Sequence, residues 1–555
     1  MSAAVRGSWL LRSDPARGRV LRWYVSAAAA IAGGLLLDAA TPDLAWWPLM
    51  FPAVALVCAS VWQQRAGWGF VAGLLAGAAF WMPHIGWLTL YLGLIPWAAL
   101  CAVMMLWYGL FGLAAAVATR GIRSLPSLAS RPGVVVFWQA ATVAGLWLVR
   151  EQLQGSVPYG GFPWGRLATT QANGPILQSV SWLGFAGLSA ALAFACALPI
   201  AAAFAGRGGR SSVRPVLATV SLSLALLVVL AALPAVPLAS TGTLRVAAVQ
   251  GNSQSGIFDD REAGGVISDH FAATEDLLDQ LEADGQRVDV IVWPENSAEF
   301  AAPDNPLRSQ RLAKLAERAG APIVVGSVLA NPDGSYSNSS LVWDGDGPTG
   351  ERYDKRYPVP FAEYMPNRPF FHAIVPDLVD LVQLDYAPGT RPSALEVVTP
   401  AGTVQAGIAI CFDIIFDAHA ADMLSDGAQI IFAQTNNADF GRTDENAQQL
   451  AIARTRAVET GRAVVNDSTV GTSAIVAPDG RDLATLTPYT RDSMVAEVPL
   501  VSGDTLALRF GAAIALVWTA LGLFGLVAGT AGLVRRRRAE SYATRGSRRS
   551  APDGV

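Results

Sequence analysis

Charge is what this sequence has least of. Asp, Glu, Lys and Arg supply 15% of its 555 residues, where an average soluble domain carries about 25%. That composition disfavours an ordinary soluble enzyme. Intrinsic disorder is excluded, because it needs low hydrophobicity and high net charge, and this chain is 52% hydrophobic with a net charge of −4. That balance offers nucleic acid no electrostatic partner, and no base-reading motif is present. Cysteine is scarce. Cys58, Cys101 and Cys196 lie in apolar runs, where a free thiol behaves as a small hydrophobe, so no disulfide framework is expected and only Cys411 stands in a polar region. The histidines, His84, His270, His372 and His419, lack zinc-ligand spacing. No glycine-rich phosphate loop follows a strand. Neither a metal nor a cofactor is expected. Lysine is rarest of all: among 40 basic residues only Lys314 and Lys355 are not arginine.

The charges that exist are unevenly placed. Asp14, Asp38, Asp43 and Glu151 are the only acids before residue 243, and Glu540 and Asp553 the only ones after 505. A bilayer core takes roughly 20 apolar residues of helix. Seven such stretches precede the acidic middle, at 22–40, 45–62, 67–89, 96–118, 133–151, 175–205 and 214–238, and an eighth follows at 509–534. The first, with six more behind it, does not read as a cleaved signal peptide. If the N-terminus is cytoplasmic, nineteen arginines fall in cytoplasmic segments, and only Arg150 and Arg166 fall in the outer loops between the first seven spans. The positive-inside rule then predicts both termini in the cytoplasm and the middle domain on the outer face of a bacterial inner membrane. The expected division is a membrane domain over 1–242, a catalytic domain over 243–505, and a last span with a basic tail over 506–555. Asp38, His84, Arg150 and Glu151 lie near span ends, whereas ion-coupled transport places charges at mid-membrane. Transport is therefore disfavoured. Tyr159, Gly160, Gly161, Phe162, Pro163 and Trp164 fit an interfacial aromatic belt and the lip of a lipid site equally well.

In the middle segment, apolar β-branched runs bounded by turn residues read as strands at 244–249, 288–292, 322–328, 339–343, 395–398, 404–410, 429–433 and 463–465. Helical patterns lie between them at 263–283, 305–319 and 443–460. The alternation predicts a layered α/β fold.

Three places carry candidate chemistry. Glu295, in Trp293-Pro294-Glu295-Asn296-Ser297, follows a strand that the proline stops. Lys355, in Tyr353-Asp354-Lys355-Arg356-Tyr357-Pro358, is a lysine kept in a chain that otherwise uses arginine. A compact ammonium serves proton transfer in a way guanidinium does not. Cys411 ends the apolar run Gly407-Ile408-Ala409-Ile410, ahead of a polar turn and a helix. This is how a nucleophile is lifted into a pocket, although a buried structural cysteine is commoner. No histidine can be paired with it, and His419 is expected one to two turns into the next helix, which leaves a glutamate as the available base.

Glu, Lys and Cys in that order, each at a strand end, resemble the catalytic pattern of the nitrilase or carbon–nitrogen hydrolase family. With the spans on either side, residues 20–535 resemble the bacterial apolipoprotein N-acyltransferases. Gln250-Gly251-Asn252, Pro360-Phe361 with Glu363, Thr435-Asn436-Asn437 and Phe440-Gly441 also match. The resemblance implies an αββα sandwich behind about eight transmembrane helices and a Glu295–Lys355–Cys411 triad. It implies support from Glu363, Phe412 and Asp413, and substrate contacts from Trp164, Phe258, Tyr364 and Asn436. It implies acyl transfer from a membrane phospholipid, through a thioester, to the N-terminal S-diacylglyceryl cysteine of an apolipoprotein.

The chain departs from the family at Cys411-Phe412-Asp413, where many members carry Cys-Tyr-Glu. Phe258 is the nearest aromatic to a family tryptophan after Gln-Gly-Asn, and Asn436-Asn437-Ala438-Asp439 lacks an aromatic that many relatives place before Phe-Gly. A membrane-anchored amidase or nitrilase and a non-catalytic lipoprotein-binding scaffold are the alternatives.

Overall fold

A computed structural model describes residues 10–14, 18–125, 128, 130–205, 213–253, 255, 256 and 263–549, without the side chains of 12–14, 18 and 542–549. Phe258 lies outside the described residues. Among the described residues six helices are long and apolar enough to cross a membrane: Ala66–His84, Leu94–Ile122, Pro132–Gln154, Leu177–Ala205, Val213–Ala232 and Leu506–Ser541. Trp23–Ala39 and Trp47–Val61 are apolar but shorter. Expected and observed segments coincide to within a few residues, with two differences. The 67–89 stretch ends as a helix at His84 and continues as the single turn Leu88–Tyr91. Pro83 is accommodated because it lies in the last turn, where few intrahelical bonds remain to break. The 214–238 stretch ends at Ala232, and Ala239 already opens the first strand of the α/β domain. Small residues set the helix spacing, as lipid offers no hydrophobic drive to bring helices together. At Gly73 a methyl group would lie 2.2 Å from the carbonyl oxygen of Tyr108.

The strands run from a short N-terminal hairpin, β1 (Leu11–Asp14) and β2 (Gly18–Leu21), into the α/β domain. There they are β3 (Ala239–Gln250), β4 (Val290–Val292), β5 (Ile323–Ala330), β6 (Tyr336–Asp344), β7 (Gly347–Asp354), β8 (Ala394–Thr399) and β9 (Gly402–Ile410). β10 (Ile430–Thr435), β11 (Val464–Ser468), β12 (Ala474–Val476), β13 (Asp482–Thr485) and β14 (Asp492–Ser502) complete the set. Two six-stranded sheets form, ordered β14-β3-β4-β5-β6-β7 and β13-β12-β11-β10-β9-β8. Each has a parallel centre, β3-β4-β5 or β9-β10-β11, with antiparallel strands outside it.

The sheets face each other across Val246, Ala248, Val290 and Val292 on one side and Ile408, Ile410, Ile430, Phe432 and Val465 on the other. The outer face of the first sheet is covered by Gly265–Ala283 and Pro306–Ala319, through Phe271, Leu277, Leu312 and Leu315. Lys314, on the second of these helices, is exposed. The outer face of the second sheet is covered by Asp417–Ser425 and Glu445–Thr460. The architecture is the αββα sandwich expected from the sequence. The strands not foreseen, β7 and β12–β14 among them, are short, polar or at sheet margins, where the apolar signal is weak.

The second helical layer also rests on the membrane helices. Trp87 and Trp164 donate their indole N–H groups to Oε1 of Gln448 at 3.2 and 2.7 Å. Arg166 reaches Asp417 at 2.7 Å, and Glu459 accepts the backbone N–H of Phe185 at 3.1 Å. Apolar side chains of both parts form one continuous cluster.

Candidate active site

Three strands of the sandwich end where the candidate residues begin. Glu295 follows β4, Lys355 follows β7 and Cys411 follows β9. β9 is apolar and buried throughout its second half, which anchors Cys411 from behind. Cys411 itself has φ of +49°, a left-handed conformation uncommon for a residue with a Cβ. It opens a single 3-10 turn, Cys411–Ile415, before the helix Asp417–Ser425. The turn is mostly apolar, where a polar one was expected. The Asp413 carboxylate fastens it: Oδ2 accepts from the backbone N–H of Ile410 (3.1 Å) and the hydroxyl of Tyr353 (2.7 Å), and Oδ1 from the N–H of Tyr357 (2.9 Å). Asp413 thus ties the cysteine turn to the lysine strand. Its hydrogen bonds hold backbone and a tyrosine, whereas Lys355 is reached by Glu363. His419 falls in the first turn of its helix. Its Nε2 meets the carbonyl of Ile408 at 2.7 Å, so the ring is committed to the scaffold.

Lys355 is almost fully buried between two carboxylates, with Nζ 2.9 Å from Oε1 of Glu363 and 3.2 Å from Oε1 of Glu295. Asn338 of β6 bridges the same oxygens, its Nδ2 donating to Glu295 at 2.7 Å and to Glu363 at 3.2 Å. The backbone carbonyl of Asn338 takes the backbone N–H of Lys355 at 2.8 Å. The other oxygen of Glu363 accepts the N–H of Val359 at 2.6 Å.

The electrostatics follow from this geometry. Burial acts against the Lys355 charge, but Glu295 and Glu363 outweigh it and hold the ammonium well above its ordinary range. Burial raises the Glu295 carboxyl, with Lys355 opposing and Glu363 adding to the rise. Burial and then Glu295 raise the Cys411 thiol well above its usual value, Lys355 acting the other way. At rest the Cys411 thiol is therefore held neutral, and the thiolate needs a base to form it.

Gly326 of β5 lets the glutamate approach. A Cβ there would stand 2.5 Å from the carbonyl of Pro294 and 2.9 Å from Cα of Glu295. Gly326→Ala should push the Glu295 turn away while leaving a folded protein. We expect turnover to fall about 100-fold, the usual effect of a displacement near 1 Å, with a much smaller loss in melting temperature.

A further buried acid, Glu445, opens the helix Glu445–Thr460. Burial raises its carboxyl to about 8; the hydrogen bond from Asn437 opposes this and the charge of Glu295 adds to it. The folded chain holds this proton more tightly than the unfolded one, where the carboxyl titrates near 4.5. Its contribution to stability therefore declines as pH rises through that interval. In Glu445→Gln, melting temperature should fall less than in the wild type between about pH 5 and pH 8, as scanning calorimetry can measure.

The remaining sequence candidates fall into two groups. Phe412 is buried, with its ring 6.2 Å from Phe162, which stacks in turn on Trp164 at 5.7 Å. Trp164 is thus a buried strut in an aromatic column, with an exposure of 3%. Tyr364 is partly buried within electrostatic reach of Tyr159. The Asn436 amide is engaged on both sides, by Ser255 (2.8 Å twice), Thr469 (2.7 Å) and the N–H of Ala438 (3.2 Å). It holds loops together.

Asn338, Glu445, Gln448 and Gln449 belong to none of the motifs read from the sequence, whereas Asn437 lies in one of them. The available signal was polarity inside elements that are otherwise buried: β6 runs Ser337-Asn338-Ser339-Ser340 with all four buried.

Two family models match the chain, the apolipoprotein N-acyltransferase N-terminal domain over residues 33–198 and carbon–nitrogen hydrolase over 245–507. A curated apolipoprotein N-acyltransferase of Mycolicibacterium smegmatis is 34% identical, covering 91% of this chain and 85% of its own. The chain belongs to the apolipoprotein N-acyltransferase family. Members from Geobacter metallireducens and Gloeobacter violaceus are each 28% identical, over 87% and 92% of this chain and 91% and 95% of theirs. The order of the two matched regions, helical part first and hydrolase-like part second, is the order of the two halves of the fold.

Proposed function

We propose that the chain transfers an acyl group from a membrane phospholipid to the α-amine of the N-terminal S-diacylglyceryl cysteine of apolipoproteins, by way of a Cys411 thioester. The observation that carries this reading is the buried Glu295–Lys355–Glu363 cluster within electrostatic reach of Cys411, in a domain bound to a bundle of apolar helices.

Glu295 takes the Cys411 proton, and Sγ attacks the ester carbonyl of the phospholipid. The Lys355 ammonium and the backbone N–H that follows the nucleophile face the developing oxyanion, where each donor contributes about 2.7–4 kcal/mol in comparable sites. Collapse expels the lysophospholipid alkoxide, which takes the proton held by Glu295, and leaves the acyl group on sulfur. The acceptor amine then attacks the thioester, gives its proton to Glu295, and releases the Cys411 thiolate with the amide formed. Glu363 and Asn338 keep Lys355 aimed. Asp413 keeps the cysteine turn in place.

Both substrates are lipids. Each buried CH₂ holds a chain in the bilayer by about 0.8 kcal/mol, so a site that meets them at the membrane avoids extracting them. The arginine distribution supports a catalytic domain on the outer face of the bacterial inner membrane, over 243–505, with both termini in the cytoplasm. An amidase or nitrilase would need one anchor, and the many helices weigh against it.

Expression of this chain in a bacterium depleted of its own N-acyltransferase tests the reading. Mass spectrometry should show diacylated lipoprotein N-termini gaining one acyl chain. Unchanged N-termini despite a correctly inserted protein would refute it.

A further inference from the structure

Cys411 has a neighbour that its own motif does not predict. Nε2 of Gln449, 38 residues further along the chain, donates to Sγ at 3.6 Å. Gln449 is 2% exposed, and its amide cannot turn freely, because Oε1 accepts from Nδ2 of Asn437 at 2.8 Å. That contact fixes which end of the amide faces the sulfur. Asn437 is itself fixed, its Oδ1 accepting from the hydroxyls of Thr435 (2.8 Å) and Ser468 (2.6 Å). The preceding residue, Gln448, is gripped from the membrane side. Its Oε1 takes the two indole N–H groups of Trp87 and Trp164, and its Nε2 donates to the carbonyl of His84 at 3.0 Å. Adjacent residues of one helix thus touch the reacting sulfur and the membrane helices.

We propose that Gln449 is a catalytic residue that stabilises the Cys411 thiolate through its amide N–H, and that Gln448 is a positioning residue through which the membrane helices seat that donor. The proposal rests on Cys411 as the nucleophile. A thiol accepts a hydrogen bond weakly and a thiolate strongly, so the contact tightens as the proton passes from Sγ to Glu295. The same N–H serves again when the amine displaces sulfur from the thioester and the thiolate departs. No further group is consumed: one proton moves between sulfur and carboxylate, and the charge left on sulfur meets the amide.

The test is alkylation of Cys411 by iodoacetamide against pH in the full-length protein in detergent, with the adduct mapped by mass spectrometry. Glu295, Lys355, Glu363, Glu445 and Tyr91 are the titratable groups coupled to this thiol, and all stay in place in the variants. Gln449→Met keeps most of the volume and removes the donor. Its alkylation rate at neutral pH should fall about 10-fold or more, with the midpoint displaced upward by about one pH unit. Gln449→Glu, equal in shape but with an acceptor facing the sulfur, should move the midpoint further. Gln448→Met should shift it in the same direction by less.

A Gln449→Met profile superimposable on the wild type overturns the proposal, and an unmoved Gln448→Met profile overturns the seating. Should Gln449→Met fail to fold, the Gln449→Glu profile decides by the same criterion. The nucleophile reading fails separately, if Cys411→Ala retains acyl transfer.

Discussion

Cys411→Ala will carry no acyl group after incubation with acyl-labelled phospholipid, whereas the wild type will carry a label that neutral hydroxylamine removes. Transfer to apolipoprotein should fall by about a thousandfold or more, the scale at which loss of a nucleophile acts. Folding should survive. Cys411 is only partly buried, and removing its thiol breaks one weak hydrogen bond, that from Gln449. Asp413 would still hold the turn through Ile410, Tyr353 and Tyr357. Glu295→Gln should likewise insert and fold while forming no acyl-enzyme. With the thiol held neutral by burial and by Glu295 itself, an amide in place of the carboxylate leaves nothing to accept the proton. A label that persisted on Cys411→Ala would place the nucleophile elsewhere.

The second large effect is at Lys355, where catalysis and stability fall together. Lys355→Met removes the cation between Glu295 and Glu363 and leaves two buried carboxylates sharing only the Asn338 amide. Breaking one side of a buried ionic cluster typically costs about 3–5 kcal/mol, and loss of one oxyanion donor costs about 100- to 1,000-fold in turnover. The two losses separate by pH. Without the ammonium that opposes the rise, the buried Glu295 carboxyl binds its proton more tightly in the folded state than in the unfolded chain. The variant should therefore regain stability as pH is lowered from neutrality towards about 5, and lose it again as pH rises. The oxyanion donor does not return on acidification, so turnover should stay low throughout. Thermal melts and acyl-transfer rates on the same samples would separate the two. Recovery of activity along with stability would mean that Lys355 acts only by holding the carboxylates apart.

Much of this protein was legible in its sequence because the strongest physical signals are local. The apolar runs defined the helices, and the buried parallel strands β3–β5 and β9–β11 read as β-branched segments. Lys355 stood out because the chain uses lysine once more only, on an exposed helix. What escaped notice depends on contacts between distant residues. Asn338 lies 43 residues from Glu295, and Gln449 38 from Cys411. Neither has a local pattern that distinguishes a bridging amide from an ordinary polar residue. Gln448 meets Trp87 and Trp164 across 361 and 284 residues, so Trp164, which a sequence reading leaves between an interfacial belt and a substrate lip, turns out to brace the catalytic domain. At Asp413 the position of the acid was readable, but its partners were not: a carboxylate two residues after the nucleophile can aim at the lysine or fasten the turn, and here its hydrogen bonds fasten the turn.

The central claim, that one acyl group passes from lipid to sulfur to amine, is tested most directly by a chase. The wild-type protein is loaded from phospholipid carrying an isotopically labelled acyl chain, separated from free lipid, and then given diacylated apolipoprotein. Peptides from both proteins are weighed over time. The labelled mass should leave the Cys411 peptide and enter the N-terminal peptide of the apolipoprotein in equal amount, with little free fatty acid. Release of the label as fatty acid with the apolipoprotein unchanged, or labelling of the apolipoprotein while the Cys411 peptide never carries the acyl group, would contradict it.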